Sequence, residues 1–206
     1  CFVRMSVTNI CDNKCTMCGI WKVYLRNPEK RKEEVTFNEF KKFVEKNSKF
    51  LDLLGISGGQ VTMRKDAVKM WELLSKSGQN VDWNTNAVNL PKVKKCITET
   101  LKKIDKDVIY KIALSVDGLG DMHDKVRGTK GEFKNLMALL NWLTEKQKKD
   151  KRIRIFISHN VTPTNYKQFV EFIDYFINKG FKQHQIFFRA SDELGRFEND
   201  KSQGLF

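Results

Sequence analysis

The chain has 206 residues and a formal net charge of +13, from 38 Lys and Arg against 25 Asp and Glu. Hydrophobic residues make up 40% and aromatic residues 11%, enough for one substantial core, and this excludes an intrinsically disordered chain. Charged residues interrupt every apolar run before the ~18 residues that a membrane-spanning helix needs, so none is expected.

Short apolar runs at residues 2–8, 50–57, 81–86, 110–116, 153–161 and 185–189 predict six strands. Helical spacing fills the intervals. Between the first two strands comes a segment carrying Phe37, Phe40, Phe43 and Val44, which Thr36 opens with Glu39 three residues on, a capping-box arrangement. Val68, Trp71 and Leu74 mark a second helix, stopped at Gly78. Pro91 stands near the start of a third, whose apolar face includes Val93, Cys96, Ile97, Leu101 and Ile104, so Cys96 reads as core. Phe133, Leu136, Met137, Leu140 and Leu143 form the fourth. Phe169, Phe172, Ile173, Phe176 and Ile177 form the fifth, with Asn165 as the expected N-cap and Gly180 beyond its end.

Strand and helix alternating in units of about 30 residues imply a parallel sheet with right-handed crossovers, either open and doubly wound or curled into a barrel. In both, active groups gather where strands end. Cysteines follow strand one, Gly58 and Gly59 follow strand two, Asn86 ends strand three, and Ser115, Val116, Asp117 and Gly118 end strand four.

Cys11, Cys15 and Cys18 stand in the pattern C-x3-C-x2-C, three of five cysteines within eight residues. Such crowding makes a poor disulfide framework and a good metal site, in a reducing, cytoplasmic setting. Structural zinc wants a fourth ligand, for which Cys1, His123, His159 and His184 are the candidates. A cubane held by three thiolates keeps one iron open to an exogenous ligand. The spacing favours iron–sulfur and leaves zinc open. The alternative reading is a zinc-stabilised nucleic-acid-binding module. Against it, the basic residues are scattered (Lys41, Lys42, Lys94, Lys95, Lys102, Lys103, Lys148, Lys149), with no aromatic-interleaved stripe on which bases could stack. A phosphorylated or acidic substrate stays open.

The run from Cys11 to Cys18, CDNKCTMC, resembles the CxxxCxxC signature of radical S-adenosylmethionine enzymes, with Met17 where an aromatic residue is common. The segment Gly58-Gly59-Gln60-Val61 is similar to that family's GGEP-type motif, with Gln for Glu and Val for Pro. Asn84-Thr85-Asn86-Ala87 resembles its TNG-type strand end, Ser115-Val116-Asp117-Gly118 its SxDG strand end, and His123-Asp124-Lys125-Val126-Arg127-Gly128 with Gly131 and Phe133 the HDxxRGxxGxF run of the SPASM-related branch. The resemblance spans residues 2–189. It implies a partial (βα)6 barrel of parallel strands with outer helices over residues 1–190, and a tail, residues 191–206, that begins a missing extension. It implies a 4Fe–4S cluster on Cys11, Cys15 and Cys18, and S-adenosylmethionine held by Met17, Gly58, Gly59, Gln60, Asn86, Ser115, Asp117 and Arg127. Ser115 and Arg127 would hold its carboxylate, and Gln60 would accept from its amino group without the charge of a Glu, so a catalytically weakened member is a further reading. Asn160 and His159 are weaker candidates to face the ligand, and Trp21 is expected to pack beneath the cysteine loop. An electron donor such as ferredoxin or flavodoxin and an unidentified peptide or small-molecule substrate complete the implied partners; nucleic acid and membrane are not expected.

Overall fold

The computed structural model describes residues 2–191, and the expectations attached to Cys1 and to residues 192–206 lie outside the described residues. Six strands run in parallel: β1 (Phe2–Thr8), β2 (Leu53–Gly58), β3 (Val81–Thr85), β4 (Tyr110–Ser115), β5 (Ile153–Val161) and β6 (Ile186–Ala190). Between them lie α1 (Val23–Arg26), α2 (Phe37–Asn47), α3 (Ala67–Lys76), α4 (Leu90–Lys103), α5 (Asp121–Arg127), α6 (Glu132–Lys149) and α7 (Phe169–Asn178). The strands form an incomplete barrel rather than an open doubly wound sheet. They are hydrogen-bonded as a pair, β1-β2, and a quartet in the order β3-β4-β5-β6. The predicted strands agree to within a few residues except at the second, where Phe50 stands in a 3-10 turn, largely exposed, and the strand begins at Leu53.

Helix signals in the sequence act as expected. Thr36 Oγ1 accepts from the Glu39 N–H (3.2 Å) while the Glu39 carboxylate accepts from the Thr36 N–H (2.8 Å), a complete capping box. Pro91 lies in the first turn of α4, where its missing N–H costs nothing. Asn165 departs from its predicted role. It precedes a 3-10 turn without capping it, and its side chain turns inward. Its amide donates to the Asp117 carbonyl (2.9 Å) and the Asn160 carbonyl (2.8 Å), and its oxygen accepts from the Thr162 N–H (2.7 Å). It thus ties the ends of β4 and β5 together.

The strands alternate. In β4, Tyr110, Ile112 and Leu114 face the helices, while Lys111, Ala113 and Ser115 face the barrel interior. On the helix side, Trp71 of α3 packs 4.5 Å from Trp83 of β3, and Tyr110 lies 6.4 Å from both. Parallel strands covered on both faces usually read as continuous apolar runs. Here polar residues take the inner positions, and the interior is a cavity. No helix among the described residues is long and apolar enough to cross a membrane.

Replacing Asn165 with Ala would leave two buried carbonyls and one N–H without partners, at about 1–3 kcal/mol for each group left unsatisfied. Denaturant unfolding of Asn165→Ala should show a lower midpoint with an unchanged slope; an unchanged midpoint would refute this account of the strand ends.

Candidate functional site

The cysteines lie on the loop that leaves β1, and steric fit to neighbouring loops sets its course. The Gly59 N–H donates to the Thr8 carbonyl (2.7 Å) and the Gln60 N–H to the Ile10 carbonyl (2.7 Å). A Cβ on Gly58 would lie 2.2 Å from the Thr8 oxygen, and one on Gly59 2.1 Å from the Ile10 oxygen. The two glycines are therefore required by the protein's own backbone. Gly128, with φ +67°, does the same from the opposite side, since a Cβ there would lie 2.3 Å from the Lys14 oxygen. The Thr16 N–H completes the clamp by donating to the Val126 carbonyl (2.9 Å).

Beneath the loop lies a buried polar network. Arg127 donates from Nη1 to Asp117 Oδ2 (3.0 Å), and its Nε stands 3.8 Å from Glu132 Oε2 without a hydrogen-bond partner. The His123 Nδ1 accepts from the Asp117 N–H (3.1 Å), so the neutral ring carries its proton on Nε2, which faces Glu132 Oε2 at 3.6 Å. Asn13, fully buried in the cysteine loop, donates to that same Glu132 oxygen (2.8 Å) and accepts from the Thr129 hydroxyl (2.7 Å). Burial alone would raise the Glu132 carboxyl; the His123 proton, the Arg127 charge and the Asn13 amide together hold it below the usual carboxylate range. Arg127 is pushed further up by Cys15, Asp117 and Glu132 against the effect of burial, and stays a cation beside the thiols.

Burial also governs the cysteines. It pushes Cys11 up to about 11, against the Asn13 backbone N–H and the Arg127 charge, and moves Cys15 and Cys18 upward as well. At neutral pH the unligated thiols keep their protons, so loading a metal releases them. Among the described residues, no three Cys, His, Asp or Glu side chains converge closely enough to ligate one metal ion. A tetrahedral zinc needs its ligands around a single centre, whereas a cubane takes each thiolate on a separate iron. His123 and His159 both face away, and His184 lies in a 3-10 turn before β6.

A cavity of about 1000 Å³ opens above these thiols, at the upper end for a small-molecule site and roomy enough for a cofactor and a substrate together. Cys11, Cys15, Cys18, Met17, Gly58, Gly59, Gln60, Asn86, Ser115 and Arg127 all line it, as does Asn160. Asp117, expected in the wall, is instead fully buried behind it, where it accepts from Arg127 and from the Asn160 N–H (2.7 Å). His159 points the other way, its ring 4.1 Å from that of Phe172. Trp21 both donates to the Cys15 carbonyl (3.3 Å) and reaches the cavity. Asn13 and Glu132 were not legible as site residues. A Glu in the first turn of a helix reads as a partner for the helix dipole, and nothing in its spacing reveals burial.

The family model for the radical SAM superfamily matches residues 5–176. Fe-coproporphyrin III synthase of Methanosarcina barkeri is 27% identical over 133 residues, which cover 64% of this chain and 31% of that protein. Among solved structures, Streptococcus suis SuiB bound to S-adenosylmethionine superposes with a TM-score of 0.74 at 17% identity, over 98% of this chain and 43% of that one. SuiB bound to precursor peptide SuiA gives 0.74 at 18%, over 100% and 42%. Native anSMEcpe with bound AdoMet and Cp18Cys peptide gives 0.63 at 19%, over 95% and 53%. At these identities the superpositions establish the fold alone, and the chain spans about a third to a half of the length of these proteins.

Gly59→Ala tests the clamp without a change of backbone region, because Gly59 holds no positive φ and the new methyl is opposed by the backbone of Ile10 and Asn9. The expected cost is about 1–3 kcal/mol, with lower iron retention after anaerobic reconstitution. Wild-type iron content and stability would show that the loop has room the structure does not give it.

Proposed function

The chain belongs to the radical SAM superfamily, and we propose that it binds a 4Fe–4S cluster on Cys11, Cys15 and Cys18 and cleaves S-adenosylmethionine reductively to begin a radical reaction. The observation that carries this is the shared cavity. Three thiols, a buried cation and the ends of several strands line one space large enough for both cofactors. When bound, the cluster supplies an open iron for the methionine group and the electron that breaks the sulfur–C5′ bond, so that a hydrogen atom can be taken from substrate.

The protein's own residues bind and orient. Arg127, locked by Asp117 and with its Nε turned inward to Glu132, holds a positive charge against the ligating thiolates at the cavity wall. Ser115 ends β4 at the cavity edge, where its hydroxyl is able to donate to a carboxylate. The Thr85 hydroxyl spends its proton on the Asn86 carbonyl (2.8 Å), so its oxygen accepts from Gln60 Nε2 (2.9 Å). That fixes the amide and leaves Gln60 Oε1 to accept from the cofactor's ammonium group. The acceptor that the GGEP-type motif supplies is thus kept in place, without its charge. Asn86 donates to Asp12 (2.8 Å) and steadies the cysteine loop from β3. We take residues 1–190 as the core of an enzyme, served by a reductant such as ferredoxin or flavodoxin. Its substrate is a peptide, in keeping with the peptides bound to SuiB and anSMEcpe, or a small metabolite, in keeping with the name of the Methanosarcina relative.

Anaerobic reconstitution should yield about four irons per chain and, with dithionite, 5′-deoxyadenosine from S-adenosylmethionine. Cys15→Ala should abolish both, and equal product from wild type and variant would end the assignment. Gln60→Glu should bind S-adenosylmethionine about fivefold more tightly, since a charged acceptor adds roughly 1 kcal/mol to a hydrogen bond. A titration followed by the cluster's EPR signal measures this, and unchanged affinity would remove Gln60 from the ammonium site.

A further inference from the structure

The cavity does not end at the cofactor residues. It continues down the inner face of the barrel to Arg4 on β1, Asp82 on β3 and Lys111 on β4, while Arg189 on β6 lines its other end, beside Asn160. Asp82 lies opposite Lys111 in the strand register, and Asn160 opposite Arg189. The Asp82 carboxylate is 2.6 Å from Arg4 Nη2 and 3.8 Å from Lys111 Nζ. Arg4 also donates to Asn84 Oδ1 (3.1 Å), and Lys111 stands 5.6 Å from the Phe156 ring centre. Asp82 is the only acidic side chain among the described residues that line the cavity, so two cations at this end face one carboxylate.

We infer that this floor is an anion-binding subsite, in which Arg4 and Lys111 take a carboxylate or phosphate group of the substrate. The inference rests on the reading of the cavity as the substrate site. A neutral substrate covering these cations would strip water from them without compensation, and a cationic one would be repelled; an anionic group supplies what Asp82 alone leaves unmatched. Asp82 meanwhile holds both side chains in place while their remaining N–H groups stay available, three on Lys111 and three of the five on Arg4. The stacked rings of Phe156 and Phe187, 5.3 Å apart, offer an apolar wall beside the charges. Lys111 precedes Ser115 by four residues, or about 13 Å at the rise of a parallel strand. The anionic group is therefore remote from the reacting carbon and serves recognition rather than chemistry.

Titration calorimetry on the anaerobically reconstituted protein, with phenyl phosphate, phthalate and neutral benzamide, tests the floor. At least one of the two anions should bind more tightly than benzamide, and which one does so separates phosphate from carboxylate. Lys111→Gln and Arg4→Gln should each weaken it about tenfold, the loss of one charge-assisted hydrogen bond. Asp82→Asn should strengthen it, an effect of opposite sign that misfolding cannot imitate. Lys94→Gln, on the outer face of α4, should change nothing. Equal affinity for benzamide, weakening by Asp82→Asn, or equal weakening by Lys94→Gln would overturn the inference. Iron content and 5′-deoxyadenosine are read on the same preparations. If 5′-deoxyadenosine forms while anion affinity ignores the floor substitutions, this inference falls alone. If the affinity pattern appears without 5′-deoxyadenosine, the radical reading falls and the anion floor stands.

Discussion

Close contact between backbones is the constraint on which the site depends. The cysteine loop is pressed between Gly58 and Gly59 on one side and Gly128 on the other, at separations that leave no room for a Cβ. Three of the hydrogen bonds that hold it, from Gly59 and Gln60 after β2 and to Val126 of α5, join main-chain atoms, which do not change rotamer. A loop carrying three ligands has many conformations to lose, and these contacts remove most of them before any metal arrives. The double glycine of the sequence thus has a meaning beyond ligand access: the first thing that comes close to it is another part of the same chain.

Charge completes what sterics begin. Asp117, Arg127, Glu132 and His123 bury several ionisable groups beneath the loop, and an isolated buried charge there would be costly. The arrangement is tolerable because each carboxylate has an N–H partner and because Asn13 brings the loop into the same network. Removing any one member leaves another without its partner, so these residues act as a unit and their effects are not additive. Arg127 gains its place beside the thiols from residues on β4 and α6 that never reach the cavity surface.

The order of strands and helices was legible because their apolar periods are strong, and the cysteines because their spacing is rare. The glycine loop and the strand-end residues were legible through resemblance, which located Gln60, Asn86, Ser115 and Arg127 at the cavity. It placed Asp117 there too, where the structure puts it one layer deeper, since a strand-end acid reads alike whether its carboxylate points to solvent or inward. Asn165 looked like a helix cap because Asn before an apolar run usually is one; a tertiary contact claimed its side chain instead. The cavity floor did leave a mark that went unread. Lys111 amid Tyr110, Ile112 and Leu114, and Asp82 between Val81 and Trp83, alternate with a period of two. In parallel strands wrapped by helices, that alternation signals a hollow interior rather than a packed one.

The break in hydrogen bonding between β2 and β3 gives the barrel a seam. The cysteines belong to the two-stranded side; Ser115, Asn160 and Arg127 belong to the four-stranded side, and a few side-chain bonds such as Arg4 to Asp82 and Gln60 to Thr85 cross between them. Whatever fills the cavity touches both sides at once and acts as a rivet. By linkage, its binding free energy adds to the resistance of the two sides to separation. Cohesion of the barrel and occupancy of the site are then one quantity seen from two directions.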